Sequence, residues 1–396
     1  MAFEIKTRTI KGPNRPDGKA TTEARYDVRY RTPAGKIQTK TFKKKKDAET
    51  FQRLTEADVI TGDWTDPRLG KITFAEWWAQ WWPTTVNLRP STRARDESYY
   101  RNHLLPAFGA TPIAAIDHTA VTVWVAKMSA SHLAPATVVK AEQILGKTMG
   151  AAVDAGLIRN DPTARVKLPK IEHHEMRFLT PTEVATLAET IDARYRAMVL
   201  TAAYCGLRLG ELAGLKRARV DLLHRRIEVL EIATEVNGRQ YTGPPKTRAG
   251  RRSVPVPRIV ADALEAHLAA VSGEYVFPAP EGGLMRPSLF RRRFWTPATV
   301  ATGLGTVTKN PTTGADHYEG LRIHDLRHTA VALWIAAGAS PKEIAARAGH
   351  SSVVTVLDRY GHLLPGHEDK VNDALDAMAD AVIPATSGSV RAIDAR

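Results

Sequence analysis

The 396-residue chain holds a single cysteine, Cys205. One thiol excludes an intrachain disulfide framework and a cysteine-rich zinc site, and it fits a reducing, cytoplasmic setting. Long apolar runs are also missing. None approaches the ~18–20 residues of a membrane span, and no signal-peptide pattern opens the chain, so no membrane partner is expected. Aromatic residues are scarce, at 7%, which makes any place where they gather worth reading. Acidic residues are the minority charge: 42 Asp and Glu face 56 Lys and Arg, a formal net charge of +14. That excess favours a polyanionic partner, nucleic acid ahead of an anionic membrane surface. The chain is 43% hydrophobic and 25% charged, a globular balance, and its length suggests two or three domains.

The charge is uneven. Residues 1–46 hold 14 Lys or Arg against four Asp or Glu, a net of +10. Ala24 to Arg31 and Lys36 to Phe42 alternate like strands around a Thr32-Pro33-Ala34-Gly35 turn, Phe3 to Ile10 supplies a candidate third strand, and helical periodicity runs from Lys46 to Ile60. The pattern predicts a β-β-β-α module that lays a basic sheet on DNA, with Arg29, Arg31, Lys43 and Lys44 as candidate contacts. Gly62 to Gly70 reads as a linker. Thr73 to Lys167 is helical and opens on Phe74, Trp77, Trp78, Trp81 and Trp82, five aromatics on one helix face that read as core before base-stacking platform. Pro90 and Ser91 suit a helix start, which sets Arg93 and Arg95 beside helix amides, a combination suited to phosphate. Val166 to Glu175 reads as an extended strap, and its His173-His174 pair has no second ligand cluster of zinc spacing. The expected division is residues 1–66, 71–168 and 175–396.

Four signals fall in the last segment. Arg208 stands where an apolar helix meets Gly206 and a second helix begins near Gly210, with Glu211 one turn on. An arginine among leucines is also what a core salt bridge looks like. Lys246 lies in Pro245 to Val256, which reads as strand, glycine turn and strand and places the lysine near a hairpin tip. His324 and Arg327, at i and i+3, share a helix face. His324 and His328, at i and i+4, have a spacing that also suits zinc, although Asp325 stands where the zinc-protease pattern has Glu. Last come Gly349-His350, at a helix end, and Tyr360, delivered by a following apolar stretch.

Arg, Lys, His-x-x-Arg, Gly-His and Tyr, in that order, resemble the tyrosine recombinase (phage integrase) family. The resemblance implies a multidomain, mostly α fold with small β-sheets: an arm-type DNA-binding module, a helical core-binding domain and a mixed α/β catalytic domain with a C-terminal docking helix. It implies that Arg208 and Arg327 clamp non-bridging phosphate oxygens with fork-shaped donors, and that Tyr360 is the nucleophile of a 3′-phosphotyrosine intermediate. His324 would assist as base or relay, His350 would donate to the phosphate, Lys246 would protonate the departing 5′ oxygen, and Glu211 would orient Arg208. No metal or other cofactor is needed, since fixed cations carry the charge. The implied partners are double-stranded DNA attachment sites, a homotetramer on DNA, a DNA-bending host factor and an excision directionality factor. A type IB topoisomerase uses similar residues without strand exchange. A non-catalytic DNA-binding regulator would have no use for the full set.

Overall fold

The computed structural model describes residues 4–14, 20–31, 37–61, 68–172, 176–310, 314–364 and 368–380. The chain divides into two compact units, Met1–His173 and His174–Arg396. Among the described residues no helix is long and apolar enough to cross a membrane. The Thr32–Gly35 turn, most of the Gly62–Gly70 linker and His173-His174 lie outside the described residues.

In the first unit, β1 (Glu4–Asn14), β2 (Ala20–Arg31) and β3 (Ile37–Phe42) form an antiparallel sheet in that order. Period-two alternation sorts β2 by face: Val28 and Tyr30 are buried, while Arg29 and Arg31 are exposed. The buried face is covered by α1 (Lys45–Thr61), whose Phe51 meets Tyr30 edge-on at 5.7 Å and carries the Lys40 ammonium 4.4 Å over its ring. Lys43 and Lys44 are exposed at the bend before α1. The open face is not purely basic, because Asp27 pairs with Arg8 at 3.1 Å.

The helical part comprises α2 (Phe74–Trp81), α3 (Pro90–Tyr99), α4 (Leu105–Phe108), α5 (His118–Ser129) and α6 (Pro135–Asp154). A capping box between Thr73 and Glu76 starts α2. The aromatic stripe is core: Trp78 stacks on Trp82 at 4.8 Å and on Tyr100 at 4.1 Å, and the Trp77 indole donates to the Thr148 carbonyl at 2.9 Å. The linker reading fails at its last residue. Gly70 is buried, and a Cβ there would meet the Cβ of Ala114 at 2.7 Å, so this glycine serves close packing inside the helical domain.

The second unit is built on α8 (Ala193–Cys205), which is buried from Ala197 to Ala203 and at Cys205 and is therefore central. Around it lie α7 (Pro181–Thr190), α10 (Arg258–Ala270) and α13 (Asp325–Ala336). A short sheet runs in the order β4 (Val220–Asp221), β5 (Arg226–Val229), β8 (Arg252–Pro255), and two hairpins flank it: β6 (Ile232–Val236) with β7 (Arg239–Gly243), and β9 (Gly305–Lys309) with β10 (Asp316–Gly320). Of the short helices, α9 (Leu209–Ala213) packs on α8 and β6, α11 (Pro287–Phe290) on α9 and β6, and α12 (Thr296–Ala301) on α7 and β9. After α13 come α14 (Pro341–Ala348), α15 (Val354–Tyr360) and α16 (Glu368–Asp380). A second apolar cluster joins α13, α14 and α15 and includes Trp334, Ile344, Val356 and Tyr360.

α8 stops because Gly206 turns left-handed, at φ 67°. The Trp334 indole donates to the Tyr204 carbonyl at 2.9 Å, satisfying one of the helix-end acceptors. A Cβ on Gly206 would lie 2.7 Å from the Trp334 ring. Gly206→Ala should therefore cost about 1–3 kcal/mol of unfolding free energy through backbone strain and overpacking. Denaturant unfolding measures this, and a change within about 0.5 kcal/mol would show that the turn relaxes freely.

Candidate active site

Arg208 lies two residues past Gly206 and is the N-cap residue of α9. Glu211, three residues on, accepts from the Arg208 backbone N–H at 2.9 Å and from its guanidinium at 2.7 Å. The carboxylate is 2% exposed while Arg208 keeps 38% of its side-chain surface, so Glu211 holds the arginine from beneath and leaves its outer nitrogens accessible. Burial alone would raise the Glu211 pKa. The hydrogen bonds and charge of Arg252, together with the Arg208 contacts, outweigh it and keep the group below the ordinary range, as a carboxylate.

Arg327 lies in the first turn of α13 and is buried. Its two hydrogen-bond partners among the described residues are carbonyls, that of Gly206 at 2.6 Å and that of Ala348. Both carbonyls terminate helices, α8 and α14, where the macrodipole is negative. Burial, then the Arg208 charge, press the Arg327 pKa down to about 9, which still leaves it protonated at neutral pH.

Arg208, Lys246, Thr247, His350 and Ser351 line one cleft of about 350 Å³, with Glu211 in its wall. Lys246 arrives there by a different local structure from the one expected. The hairpin is β6–β7, with Asn237 and Gly238 at its tip, and Lys246 sits in the exposed connection from β7 to β8. The sequence reading missed this because strand propensity does not say which of two adjacent turns closes the hairpin.

His350 follows the left-handed Gly349 that ends α14. Burial, then Arg327, Arg208 and further arginines, push its pKa down to about 4 from 6.5. Its Nδ1 is buried with no partner among the described residues. A bare lone pair costs less there than a stranded N–H, which assigns the ring proton to Nε2 and makes that nitrogen a donor. His324 keeps an accessible edge. Burial of the rest, then His328, Arg327 and Arg208, push it to about 4 as well. Both imidazoles are neutral at physiological pH.

Tyr360 departs from expectation. The residue is 2% exposed, and its hydroxyl lies 2.6 Å from Nδ1 of His328, itself buried. Burial raises the phenol pKa, against the opposing charges of Arg327 and Arg359. The sequence reading paired the phenol with His324. The structure gives it His328, whose ring meets His324 edge-on at 5.1 Å. His328 drew attention only as a zinc candidate; among the described residues no group of three metal-binding side chains exists. No local pattern signals a contact across 32 positions. The structure thus brings Arg208, Lys246 and His350 into one cleft, anchors Arg327 among their charges, and keeps the Tyr360 hydroxyl out of the cleft.

The proposed contacts of the first unit are placed differently from one another. Arg29, Arg31, Lys43 and Lys44 are exposed. Arg93 lies 4.8 Å over the Trp82 ring and donates to the Thr85 carbonyl at 2.8 Å, while Arg95 is bound to the buried Asp96 at 2.8 and 2.9 Å. Those two arginines already have intramolecular roles in the helical domain.

Residues 177–367 match the Phage integrase family, and residues 73–145 match the phage integrase N-terminal SAM-like domain. The chain belongs to the phage integrase family. It is thus a site-specific tyrosine recombinase, an enzyme that transfers DNA strands. The recombinase is 28% identical over 385 residues to a protein named as the prophage phiRv2 integrase of Mycobacterium tuberculosis, covering 94% of this chain and 99% of that one. Its fold is that of the Tn1549 transposon integrase bound to circular-intermediate DNA, with a TM-score of 0.64, 19% identity, and coverage of 78% of this chain and 100% of the other. It is also that of lambda integrase, solved as a tetramer on a Holliday junction, with a TM-score of 0.54, 17% identity, and coverage of 82% and 90%.

The two depressed histidines give the recombinase a defined acid response. A histidine whose folded pKa lies below its unfolded value contributes stability that is complete above about pH 6.5 and is lost as the pH falls toward about 4. The melting temperature should be flat near neutral pH and fall through that window, and His350→Gln should make the fall shallower. An acid limb unchanged in His350→Gln would remove His350 as a cause.

Proposed function

We propose that the chain integrates and excises a mobile DNA element by cutting at attachment sites through Tyr360. The observation that carries this reading is the cleft in which Arg208, Lys246 and His350 converge beside the buried charge of Arg327. Its cations outnumber its one buried carboxylate, so a scissile phosphate supplies the missing negative charge. In the transition state, charge spreads over the phosphate oxygens, and preorganised donors in a partly dry site stabilise it. Arg208 offers a fork held by Glu211, Arg327 a fixed positive field, and His350 its Nε2 proton. The Tyr360 oxygen attacks phosphorus, the bond to the 5′ oxygen breaks, and Lys246 gives that oxygen its proton. The phenolic proton passes to the neutral imidazole of His324. The ester bond keeps the energy for rejoining, so a 5′-hydroxyl from a second duplex completes exchange without nucleotide.

The buried hydroxyl means that Tyr360 leaves His328 before attack. The following helix, α16, would drive that movement by docking. Leu375 and Met378 are 56% and 68% exposed on it, beside exposed Asp373 and Asp376. The Val371 side chain and Val382, expected on the same stripe, lie outside the described residues. Docked on a neighbouring protomer, this stripe would link four active sites around two duplexes, the number that strand exchange requires. The basic face of the N-terminal sheet, with Arg29 and Arg31, would hold a second, arm-type DNA site, and a DNA-bending host protein and a directionality factor would complete the assembly.

A nicked suicide duplex carrying the core site should trap a covalent adduct with the wild type, also in EDTA. Tyr360→Phe should bind the site as well as the wild type and trap none. A persistent adduct in Tyr360→Phe reassigns the nucleophile, and cleavage without exchange between two sites favours the topoisomerase reading.

Deletions test the assembly. A chain beginning at Thr73 should keep the core footprint and lose a second one. A chain ending at Gly366 should bind single sites normally and form no tetramer in native gels. Identical footprints, or normal tetramers, would sink the corresponding claim.

A further inference from the structure

Arg252 belongs to none of the motifs that mark the family site, and its side chain is 6% exposed, so it does not reach a bound substrate. Its hydrogen bonds nonetheless reach three of the segments that form the cleft. Nη2 donates to Glu211 Oε2 at 2.9 Å and Nη1 to Glu211 Oε1 at 3.1 Å, a two-pronged grip on the carboxylate that holds Arg208. Nη1 also donates to the Gly250 carbonyl at 3.1 Å, in the connection that carries Lys246. Nε donates to the Arg347 carbonyl at 2.7 Å, three residues before His350. The turn into His350 packs on the same side chain: a Cβ on Gly349 would meet Arg252 Cδ and Nη1 at 3.1 Å and the Ala249 carbonyl at 2.8 Å.

We propose that Arg252 is a positioning residue that sets Arg208, Lys246 and His350 in register through one buried guanidinium. The inference rests on the cleft being the strand-cleaving site. Guanidinium suits the task for two reasons. Its planar fork matches the carboxylate, and its five donors can serve three chain segments at once. It also stays charged where burial would neutralise a lysine. Glu211 alone would place Arg208 relative to α9 only. With Arg252 bound to the same carboxylate, α9 is fixed relative to β8 and to the end of α14.

The test uses the full chain with Arg252→Lys, in single-turnover adduct formation on a nicked core site. Two substrates are compared: the ordinary scissile phosphate, and a methylphosphonate in which one charged oxygen is replaced by a methyl group. A neutral centre needs less from an arginine clamp, so a defect that acts through Arg208 shrinks on it, whereas general loss of structure does not. Expected on phosphate is a fall of about a hundredfold in rate, the scale of a misplaced reacting group, with core-site affinity and melting temperature near wild type. On methylphosphonate the gap to wild type should narrow to within about tenfold. Wild-type rates on phosphate, or an equal loss on both substrates, would overturn the inference. If Arg252→Lys melts far below the wild type, Glu211→Gln, nearly isosteric, must give the same substrate signature, and equal losses there overturn it as well. A wild-type chain that forms no Tyr360 adduct overturns the functional reading, and this inference with it.

Discussion

A buried guanidinium has to be answered, and Arg327 is answered by the ends of two helices. The carbonyls of Gly206 and Ala348 close on it, one from the end of α8 and one from the end of α14. Both helices stop at left-handed glycines, Gly206 and Gly349, so the residues that end the helices are also those that lead into Arg208 and His350. Glycine is needed there for φ as well as for space, since a side chain at either place would strike Trp334 or Arg252. Packing and chemistry are therefore not separable in this domain. The charge that a phosphate would meet also fixes where α8 and α14 terminate.

The carboxylate of Glu211 has the complementary task. Arg208 and Arg252 both press on Arg327, and burial, with Arg327 and Arg208, lowers the pKa of His324 and His350, Arg252 adding to the effect at His350. A second buried acid would neutralise the site and remove its affinity for anions. A site with none would leave Arg208 free to swing. One carboxylate, gripped from two sides, holds the geometry and leaves the excess charge in place.

Much of this was legible in the sequence because it is local or ordered. Helix stops at Gly206 and Gly349 and the spacing of His324 and Arg327 follow from short-range rules, and the order of the motifs carries the family. The β-β-β-α pattern of the first 61 residues is legible for the same reason. Arg252 was not legible, because the run Arg248 to Arg252 holds three arginines and nothing in it says which one turns inward. Nor was the bond from Tyr360 to His328, which depends on how α15 packs against α13. Arg93 and Arg95 looked free because a sequence shows charges and not their partners. Gly70 looked like a linker because close packing against Ala114 leaves no mark in composition.

The storage of Tyr360 in an apolar cluster has a consequence for a protein this basic. Most of the duplex it meets in a cell is not its target, and electrostatic attraction makes such meetings frequent and prolonged. A nucleophile held at the surface would turn each of them into a chance of breakage. With Tyr360 as the proposed nucleophile, folding it away would make damage conditional on two coinciding events, arrival of a phosphate and release of the phenol, so the error rate would be a product of two probabilities rather than a single one.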